Sequence, residues 1–497
     1  MPIDFYYTSL QKEVIAMHLY DICPEAKEQS VPDCEIRSVT DDTRELQKGD
    51  VFLCIKGNSF DGHSAAAEML EKGAAAVVAE RDLGLERQVI VPDTRKQYAL
   101  LAAAYYGNPE KKLKMTAVTG TNGKTTIAHI IQAILQDNGK KCACIGTAGY
   151  DVCGKIYEPD GDIPTTPRPM RFFSLLAEAV ENGAEYCSIE ASSQALAQSR
   201  LYGVRFEIGI FTNLTQDHLD VHGTMENYYK AKKLLFDQCD KALICTDDKY
   251  GKRLLDDPEL TIPKKTYSIT DAADYYSVNI KCAPAYVSYW FSSEAAEKSF
   301  PIEFAMPGMF NVANSIAAAA ACTELGLKIN DCVASLQRFE GIRGRCEVIH
   351  HGDFTVICDY AHTSDALEKI LASVKSFAQG RVICVFGAAG ERDADKRPEM
   401  GLVVGRNADY AVLTSDNPRF EDPMQIIEQV EKGLDKTTVP YRSIENRREA
   451  IEYALSTARA GDIVLLCGKG HETHQVYGND YQHFDEHEIV KEIMSGK

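Results

Sequence analysis

The chain has 497 residues, 45% of them hydrophobic, so it can build about three domains with full cores. Its formal net charge of −19 argues against the basic surface that nucleic-acid or anionic-membrane partners require, although a local loop can still bind an anionic substrate. The 16 cysteines lack CxxC or zinc spacing, and we see neither a secretory signal nor an apolar run of about 18 residues, so we expect a cytoplasmic protein with reduced thiols. We also expect a monomer.

The first part of the chain predicts a small α/β domain. Apolar runs at 50–55 and 75–78 have the length and composition of buried strands, and a helical pattern at 61–72 lies between them. A Tyr-Gly-Asn-Pro cluster at 106–109 breaks regular structure. We therefore expect the first domain to span residues 1–108.

A glycine-rich loop follows at 119–126, with the sequence TGTNGKTT. It lies between an apolar, β-branched run at 113–118 and a helical pattern at 127–135, which is the strand, loop, helix order of phosphate-binding loops. Its glycines let backbone N–H groups approach phosphate oxygens, Lys124 supplies a charge, and Thr125 supplies a hydroxyl for Mg²⁺. This stretch predicts nucleotide binding.

Polar motifs follow later strands of the same region, which we expect to be a central domain at 109–340 built on a mostly parallel sheet. Glu190 follows the apolar run 186–189, and His218 lies in a TNLTQDHLD motif after another strand. Carboxylate oxygens are chemically sensible ligands for a nucleotide-bound Mg²⁺. The structural alternative is that Asp217 and Asp220 cap a helix while His218 packs in a loop.

A third domain is expected at 341–497, where short apolar runs alternate with helical patterns. This order is typical of a doubly wound, Rossmann-like fold, whose ligands bind at the carboxyl ends of the strands. Polar clusters do follow the predicted strands. The strand and cluster pairs are 355–358 with 359–362, 382–386 with 387–393, 410–414 with 415–419, and 463–467 with 468–472. The segment 250–300 has no motif from which a role follows.

In chain order, the motifs resemble those of the Mur ligases of peptidoglycan synthesis, most closely the branch that adds the third amino acid. The matching motifs are DDTR, TGTNGKTT, E-x-SS, FTNLTQDHLD, Y-x-x-AK, FNVANSIAA, GR-x-E, DYAHT, DNPR and GKGHE. The resemblance implies three α/β domains: a UDP-binding domain at 1–108, an ATP-binding domain at 109–340, and an amino-acid-binding, Rossmann-like domain at 341–497.

The resemblance also implies a reaction. ATP phosphorylates a carboxylate of UDP-N-acetylmuramoyl-L-alanyl-D-glutamate, and the amine of an incoming amino acid displaces phosphate from the acyl phosphate to form an amide. Catalysis is then mainly positioning and charge neutralisation. The implied partners are the UDP-sugar dipeptide and an amino acid, and the implied cofactors are ATP, Mg²⁺ and CO₂ held as a lysine carbamate.

Roles of individual residues follow from the matched motifs. The implied ATP site comprises Gly120, Thr121, Asn122, Gly123, Lys124, Thr125, Thr126, Asn314 and Arg345. The implied catalytic residues are Lys124, Glu190, His218, Lys232, Arg345, Asp359 and His362. The implied Mg²⁺ partners are Thr125, Glu190, His218 and Lys232, the last as N6-carboxylysine.

Two further sets concern the other substrates. The UDP-sugar dipeptide is expected at Thr43, Arg44, Asn58, Ser59, Phe60, Thr165, Thr166, Ser192, Gln198 and Arg200. The amino acid is expected at Arg392, Asp416, Asn417, Pro418, Arg419, Gly468 and Glu472. Arg392 and Arg419 suit a distal carboxylate, which meso-diaminopimelate has and L-lysine lacks, and Glu472 suits its ammonium. The motifs therefore favour diaminopimelate.

Some positions depart from the family pattern. They are Arg168, Gln194, Ser364 and the stretch 386–392. These departures leave open the same reaction with L-lysine or another amine, as in a paralogue. A folylpolyglutamate synthetase-like ligase is disfavoured by the DDTR and DNPR motifs. A nucleotide-binding protein that does not ligate, or a simple NTPase, is the alternative from another class.

Overall fold

The computed structural model describes residues 17–57, 60–157, 165–215, 219–294, 298–392 and 394–496. This part of the chain is α/β throughout and contains three main sheets that follow one another along the sequence. The predicted fold class is confirmed. None of the described helices is long and apolar enough to cross a bilayer.

The N-terminal part is a small parallel sheet with short helices. Its elements are β1 Met17–His18, α1 Leu19–Ile22, α2 Pro24–Glu28, β2 Glu35–Ile36, β3 Val39–Thr40, β4 Val51–Leu53, α3 Ala66–Glu71, β5 Ala76–Ala79, β6 Gln88–Ile90 and α4 Thr94–Tyr105. The sheet order is β3-β4-β5-β6. The helix predicted at 61–72 begins as a 3₁₀ turn, Gly62–Ala65, before it becomes α3.

The central part is built on one large sheet. Its elements are β7 Lys114–Thr119, α5 Lys124–Asp137, β8 Cys142–Gly146, β9 Gly149–Val152, β10 Lys155–Tyr157, α6 Pro169–Glu181, β11 Tyr186–Glu190, α7 Ser193–Ala197, β12 Phe206–Phe211, α8 Leu219–His222, α9 Met225–Lys233, β13 Cys239–Cys245, α10 Lys249–Leu255, β14 Lys264–Ser268, β15 Tyr275–Cys282, β16 Val287–Ser293, β17 Phe300–Phe304, α11 Met309–Glu324 and α12 Ile329–Arg338.

Among the described residues the sheet order is β10-β9-β8-β11-β7-β12-β13-β14-β15-β16-β17, parallel from β8 to β15 and antiparallel at both edges. Strands β14, β15 and β16, which fall in the range 250–300 that carries no motif, lie next to the edge strand β17. Side chains of β7 alternate between two cores: Met115 packs with helix α6 on one face, and Val118 packs with α5 and α11 on the other. β7 therefore lies in the middle of the sheet, covered on both sides.

The C-terminal part is a second doubly wound unit. Its elements are β18 Glu347–His351, β19 Thr355–Asp359, α13 Ser364–Lys375, β20 Val382–Phe386, α14 Arg397–Asn407, β21 Tyr410–Leu413, α15 Pro423–Leu434, β22 Tyr441–Ser443, α16 Arg447–Thr457, β23 Ile463–Cys467, β24 His474–Tyr477, β25 Asp480–His483 and α17 Glu486–Met494. The sheet order is β18-β19-β23-β20-β21-β22, parallel except for β18. Helices α13, α14 and α15 cover one face, and α16 and α17 cover the other.

Candidate active site

The predicted phosphate-binding loop leaves the carboxyl end of β7 and enters α5. Gly120 and Gly123 have φ angles of +150° and +87°. A Cβ atom at Gly120 would collide with Thr212, and one at Gly123 would lie 2.5 Å from Oδ1 of Asn314. Both positions therefore need glycine, and the first turn of α5 directs its backbone N–H groups toward the loop.

The segment after β12 holds this loop in shape. The Asn213 carbonyl accepts a hydrogen bond from Thr121 N (2.9 Å), its Oδ1 accepts one from Asn122 N (3.0 Å), and Thr212 Oγ1 donates to the Asn122 carbonyl (2.6 Å). The first half of the FTNLTQDHLD motif thus stabilises the conformation of the phosphate loop through these hydrogen bonds. His218, in its second half, lies outside the described residues.

We expect the Gly123→Ala variant to bind Mg-ADP on the order of tenfold more weakly, because the new Cβ must displace Asn314. Gly139→Ala is a matched control at the other end of α5: its φ is +72° but a Cβ there meets open space. In both variants the free energy of unfolding should fall by on the order of 1 kcal/mol, because φ is positive at both sites. Calorimetric titration with Mg-ADP measures the difference, and equal affinities would contradict it.

Two lysines converge on one carbonyl of the loop. Lys124 Nζ donates to the carbonyls of Gly120 (3.1 Å) and Thr121 (2.9 Å), and Lys232 Nζ donates to Gly120 at 2.7 Å. Lys232 is 1% exposed and lies 4.6 Å from the ring centre of Tyr228. The structure therefore brings both predicted lysines together beside the loop, where they favour bound anions.

Glu190 ends β11 next to β7, with Val118 as its partner in register. Its side chain is buried and accepts hydrogen bonds from Thr147 N (2.7 Å) and Thr147 Oγ1 (3.3 Å). A Cβ atom at Gly146 would collide with this carboxylate. The end of β8 thus fixes the orientation of Glu190, a contact that the sequence motifs did not indicate.

His129 is a further neighbour that sequence reasoning missed. Its Nδ1 lies 2.9 Å from the Thr125 carbonyl, one helical turn away on α5. Burial lowers the pKa of His129, the Glu190 carboxylate raises it, and the Arg345 guanidinium lowers it. The i, i+4 spacing from Thr125 is the signal that could have found it.

The residues predicted for the sugar and peptide lie around Glu190. Thr166 Oγ1 donates to the Glu190 carbonyl (2.7 Å), and Ser192 N donates to Thr166 Oγ1 (3.1 Å). Arg200 Nη1 donates to the Thr166 carbonyl (2.7 Å), and its Nη2 donates to Gln198 Oε1 (2.7 Å). Thr165 Oγ1 lies 3.0 Å from Thr147 Oγ1, which in turn contacts the Glu190 carboxylate. This predicted set forms one network.

A cavity of about 370 Å³ opens between this network and the N-terminal part. Its lining includes Phe60, Arg95, Arg168, Gln194, Gln198 and Arg200. Burial lowers the pKa of Arg200 to about 10, and the Arg168 charge adds to this. Two departures from the family pattern, Arg168 and Gln194, therefore face the same cavity, and Arg168 forms an ion pair with Asp41 at 3.5 Å.

The remaining residues predicted for the UDP site lie away from the described lining of this cavity or outside the described residues. Arg44 is exposed and bonded to Asp42, where it lowers the pKa of that carboxyl to about 2. Neither Arg44 nor Thr43 belongs to the described lining of the cavity. Asn58 and Ser59 lie outside the described residues.

The C-terminal part contributes Arg345 and Asp359. Asp359 accepts hydrogen bonds from Cys346 N (2.7 Å) and Ala361 N (2.9 Å), and burial raises its pKa while Arg345 opposes that rise. The Arg345 guanidinium lies 5.1 Å from the Tyr360 ring centre and influences His129 of α5. Its charge, which lowers the pKa of His129, therefore acts on a residue of the central part.

Tyr360 is the centre of an aromatic cluster beside Arg345. The rings of His362 and His471 lie 4.6 Å and 4.9 Å from it, centre to centre. His362 is exposed, and its Nδ1 lies 2.8 Å from the Tyr360 carbonyl. Burial lowers the pKa of His471 to about 4, and Arg345 adds to this. His471 was not among the predicted site residues.

The predicted amino-acid pocket consists of three loops that contact one another. Gly390 N donates to the Asn417 carbonyl (2.9 Å), and a Cβ at Gly390 would collide with the Pro418 carbonyl. A Cβ at Gly468 would lie 2.5 Å from Oδ2 of Asp416, a buried oxygen with no hydrogen-bond partner in the described part of the chain. The loop 387–392 brings the exposed Arg392 to this edge.

Arg419 has a strained backbone, with φ at +53°. Its N–H donates to the Val476 carbonyl (3.0 Å), and Gly478 N donates to its carbonyl (2.7 Å), so the β24–β25 hairpin holds it. Within the described ranges its guanidinium forms no ion pair. Strain of this kind clusters at ligand-binding sites.

Glu472 is joined to Asn417 and Lys469. Lys469 Nζ donates to Asn417 Oδ1 and Glu472 Oε2, both at 2.7 Å, and Asn417 Nδ2 donates to Glu472 Oε2 at 3.1 Å. Lys469 is completely buried. The sequence prediction included Asn417 and Glu472 but not the lysine between them.

Family models match most of the chain. The Mur ligase family, catalytic domain matches residues 35–109, the Mur ligase middle domain matches 118–322, and the Mur ligase, glutamate ligase domain matches 344–470.

Curated relatives match along nearly the full length. UDP-N-acetylmuramoyl-L-alanyl-D-glutamate--2,6-diaminopimelate ligase 1 of Clostridium acetobutylicum is 40% identical over 93% of this chain and 95% of its own. The corresponding ligase of Syntrophomonas wolfei is 41% identical over 94% and 96%. A solved structure of a ligase with the same name superposes with a TM-score of 0.67 and 33% identity, covering 93% of this chain and 95% of that chain.

Proposed function

Because the chain belongs to the Mur ligase family, we propose that it adds meso-diaminopimelate to UDP-N-acetylmuramoyl-L-alanyl-D-glutamate in the cytoplasm, with ATP as energy source, during synthesis of peptidoglycan precursors. The observation that carries this proposal is the convergence of Lys124 and Lys232 on the Gly120 carbonyl, with Glu190 at the end of the neighbouring strand. In this proposal, residues 1–108 hold the UDP end, 109–340 hold ATP, and 341–497 hold the amino acid.

The phosphate loop and its lysines would act first. Backbone N–H groups of 120–126 would bind the ATP phosphates, and Lys124 would leave its carbonyl partners to neutralise phosphate charge. Thr165, Thr166, Ser192 and Arg200 would place the dipeptide carboxylate near Glu190 and the γ-phosphate. Asn314, which packs against Gly123, would contact the adenine, and Arg345 would approach the transferred group.

The donors at this place suit Mg²⁺. The Thr125 hydroxyl at the start of α5 and the carboxylate of Glu190 are hard oxygen donors, and Glu190 is held by Thr147 in one orientation. We assign Thr125, Glu190, His218 and Lys232 as the residues that would hold the ion. When bound, Mg²⁺ supplies charge neutralisation on the phosphate oxygens.

Lys232 is the residue that CO₂ would modify. The buried ammonium beside Gly120 would lose one proton, and the free amine would add CO₂ through a new N–C bond and lose a second proton, which leaves an anionic carbamate with one N–H. The change of sign converts a group that binds phosphate into one that binds a cation. The contact of Lys232 with the Gly120 carbonyl supports a role for such a change beside the phosphate loop.

The C-terminal loops would hold the amino acid. Glu472 and Asp416 offer carboxylate oxygens to an ammonium group, and Arg419 and Arg392 offer guanidinium groups to a distal carboxylate. An amino acid held at its far end presents its reacting amine to the acyl phosphate. Asp359, hydrogen-bonded to Cys346 N and Ala361 N, keeps Arg345 and Tyr360 in place, and His362 lies at the same edge.

Phosphate release tests the proposal directly. Purified protein with Mg-ATP and UDP-N-acetylmuramoyl-L-alanyl-D-glutamate should release phosphate only when an amino acid is added, and most strongly with meso-diaminopimelate. Release with L-lysine but not with meso-diaminopimelate would support a ligase and reject diaminopimelate as its substrate. Release without any amino acid would indicate an NTPase, and no release at all would indicate a nucleotide-binding paralogue.

A further inference from the structure

A buried lysine lies inside the proposed amino-acid pocket. Lys469 stands between Gly468 and Gly470, whose φ angles are +115° and +54°. A Cβ at Gly468 would press on Asp416, and one at Gly470 would press on Tyr360. The two glycines thus let the backbone pack tightly at this point, and the Lys469 side chain is completely buried.

A buried ammonium is costly unless a carboxylate and hydrogen-bond acceptors compensate it. Lys469 finds both, because its Nζ donates to Glu472 Oε2 and Asn417 Oδ1 at 2.7 Å. Asn417 Oδ1 also accepts from Val476 N at 3.0 Å, which ties the network to the β24–β25 hairpin. The two side chains that Lys469 holds are therefore fixed from several directions.

The network leaves one side of Glu472 open. Both Lys469 and Asn417 bond Oε2, whereas Oε1 accepts no hydrogen bond within the described part of the chain. The Glu472 side chain is 21% exposed, so it lies at the boundary between the buried network and the solvent. Oε1 is the oxygen that remains for a ligand ammonium.

Lys469 also changes the charge of the pocket. Its ammonium lies 2.7 Å from the Glu472 carboxylate and compensates that charge, so the pocket has less negative charge left for a ligand ammonium. A ligand whose far end carries both an ammonium and a carboxylate is neutral at that end, and it suits this balance better than a ligand whose far end carries an ammonium alone.

We propose that Lys469 is a positioning residue that fixes Glu472 and Asn417 and, by balancing the charge of Glu472, makes the pocket selective for a diamino acid with a second carboxylate over one without it, such as L-lysine. This inference rests on the proposed ligase function and adds to it a specificity residue beyond the Arg419 clamp.

The test compares Lys469→Met with the wild type in steady-state kinetics with each substrate varied in turn. We expect KM for meso-diaminopimelate to rise about tenfold or more, with kcat within about threefold, because the loss of a charged hydrogen bond acts on binding. KM for ATP and for the UDP-sugar dipeptide should not change, and KM for L-lysine should not rise. Lys436→Met, at an exposed site on the same unit, is the matched control.

The Glu472→Gln variant and the double variant with both changes complete a double-mutant cycle. If Lys469 acts through Glu472, then Lys469→Met should have a much smaller effect on KM for diaminopimelate in the Glu472→Gln background. If Lys469→Met fails to fold, Lys469→Gln is used in its place, because glutamine can still form a hydrogen bond with Asn417. If Lys469→Met left KM for diaminopimelate unchanged, or raised KM equally for every substrate, the inference would be overturned while the ligase function stayed intact. A wild type that ligates no amino acid would overturn both.

Discussion

The Lys232→Ala variant is expected to lose on the order of 10²- to 10³-fold in kcat, the range found when one preorganised charged group is removed from an active site. Lys232 is buried against the phosphate loop, and the proposed carbamate would be one of the anionic groups that hold Mg²⁺ there. Amino-acid-dependent phosphate release at saturating substrates measures the loss. The fold should persist, because Lys124 also donates to the Gly120 carbonyl.

Chemical rescue separates the carbamate from a structural role. Formate or acetate can enter the space left by the alanine and replace the missing anion, so part of the activity should return with a short carboxylate but not with chloride. Lys230→Ala is the matched control, since Lys230 lies on the same helix but is 67% exposed. Full activity in Lys232→Ala would reject the carbamate, and rescue by an alkylamine instead of a carboxylate would assign Lys232 as a cation.

The phosphate loop could be predicted from sequence because all of its determinants are local. A strand, two glycines and a helix follow one another within 114–137, and each glycine has a conformation or a close contact that the residue type itself suggests. The carboxyl ends of β11 and β19 were predictable for the same reason, since an apolar run ends in a polar motif. Glu190 and Asp359 lie at those ends.

The contacts between distant segments could not be predicted in this way. Thr147 orients Glu190 only because β8 and β11 are neighbours in the sheet, and no periodicity specifies that order. The ion pair of Arg168 with Asp41 joins two parts of the chain that are far apart in sequence. Pairings of this kind depend on tertiary packing, which leaves no local pattern.

Lys469 shows a different limit. Lysine is almost never fully buried unless it is paired, so residue type alone predicts an exposed side chain. The flanking glycines are the signal that could have indicated otherwise, but their conformation becomes informative only when Asp416 and Tyr360 are known to lie against them.

Arg419→Met is expected to have the second large effect: kcat/KM for meso-diaminopimelate should fall about 100-fold, or about 3 kcal/mol, while kcat/KM for L-lysine should change little. A guanidinium without an ion pair among the described residues can clamp the distal carboxylate, and only diaminopimelate has one. Methionine keeps a long, unbranched stem and carries the same strain at a φ of +53°, so the change removes the guanidinium without relaxing the backbone.

Two companion variants identify what the clamp requires. Arg419→Lys keeps the charge but loses the planar pair of donors, so it should recover only part of the activity with diaminopimelate. Arg392→Met should cost less than Arg419→Met, because Arg392 is exposed and solvent weakens its attraction for a carboxylate. The ratio of kcat/KM for diaminopimelate to that for lysine is the decisive quantity. If Arg419→Met lowered both values equally, Arg419 would support the fold of the pocket, and selectivity would have to come from Lys469 and Glu472.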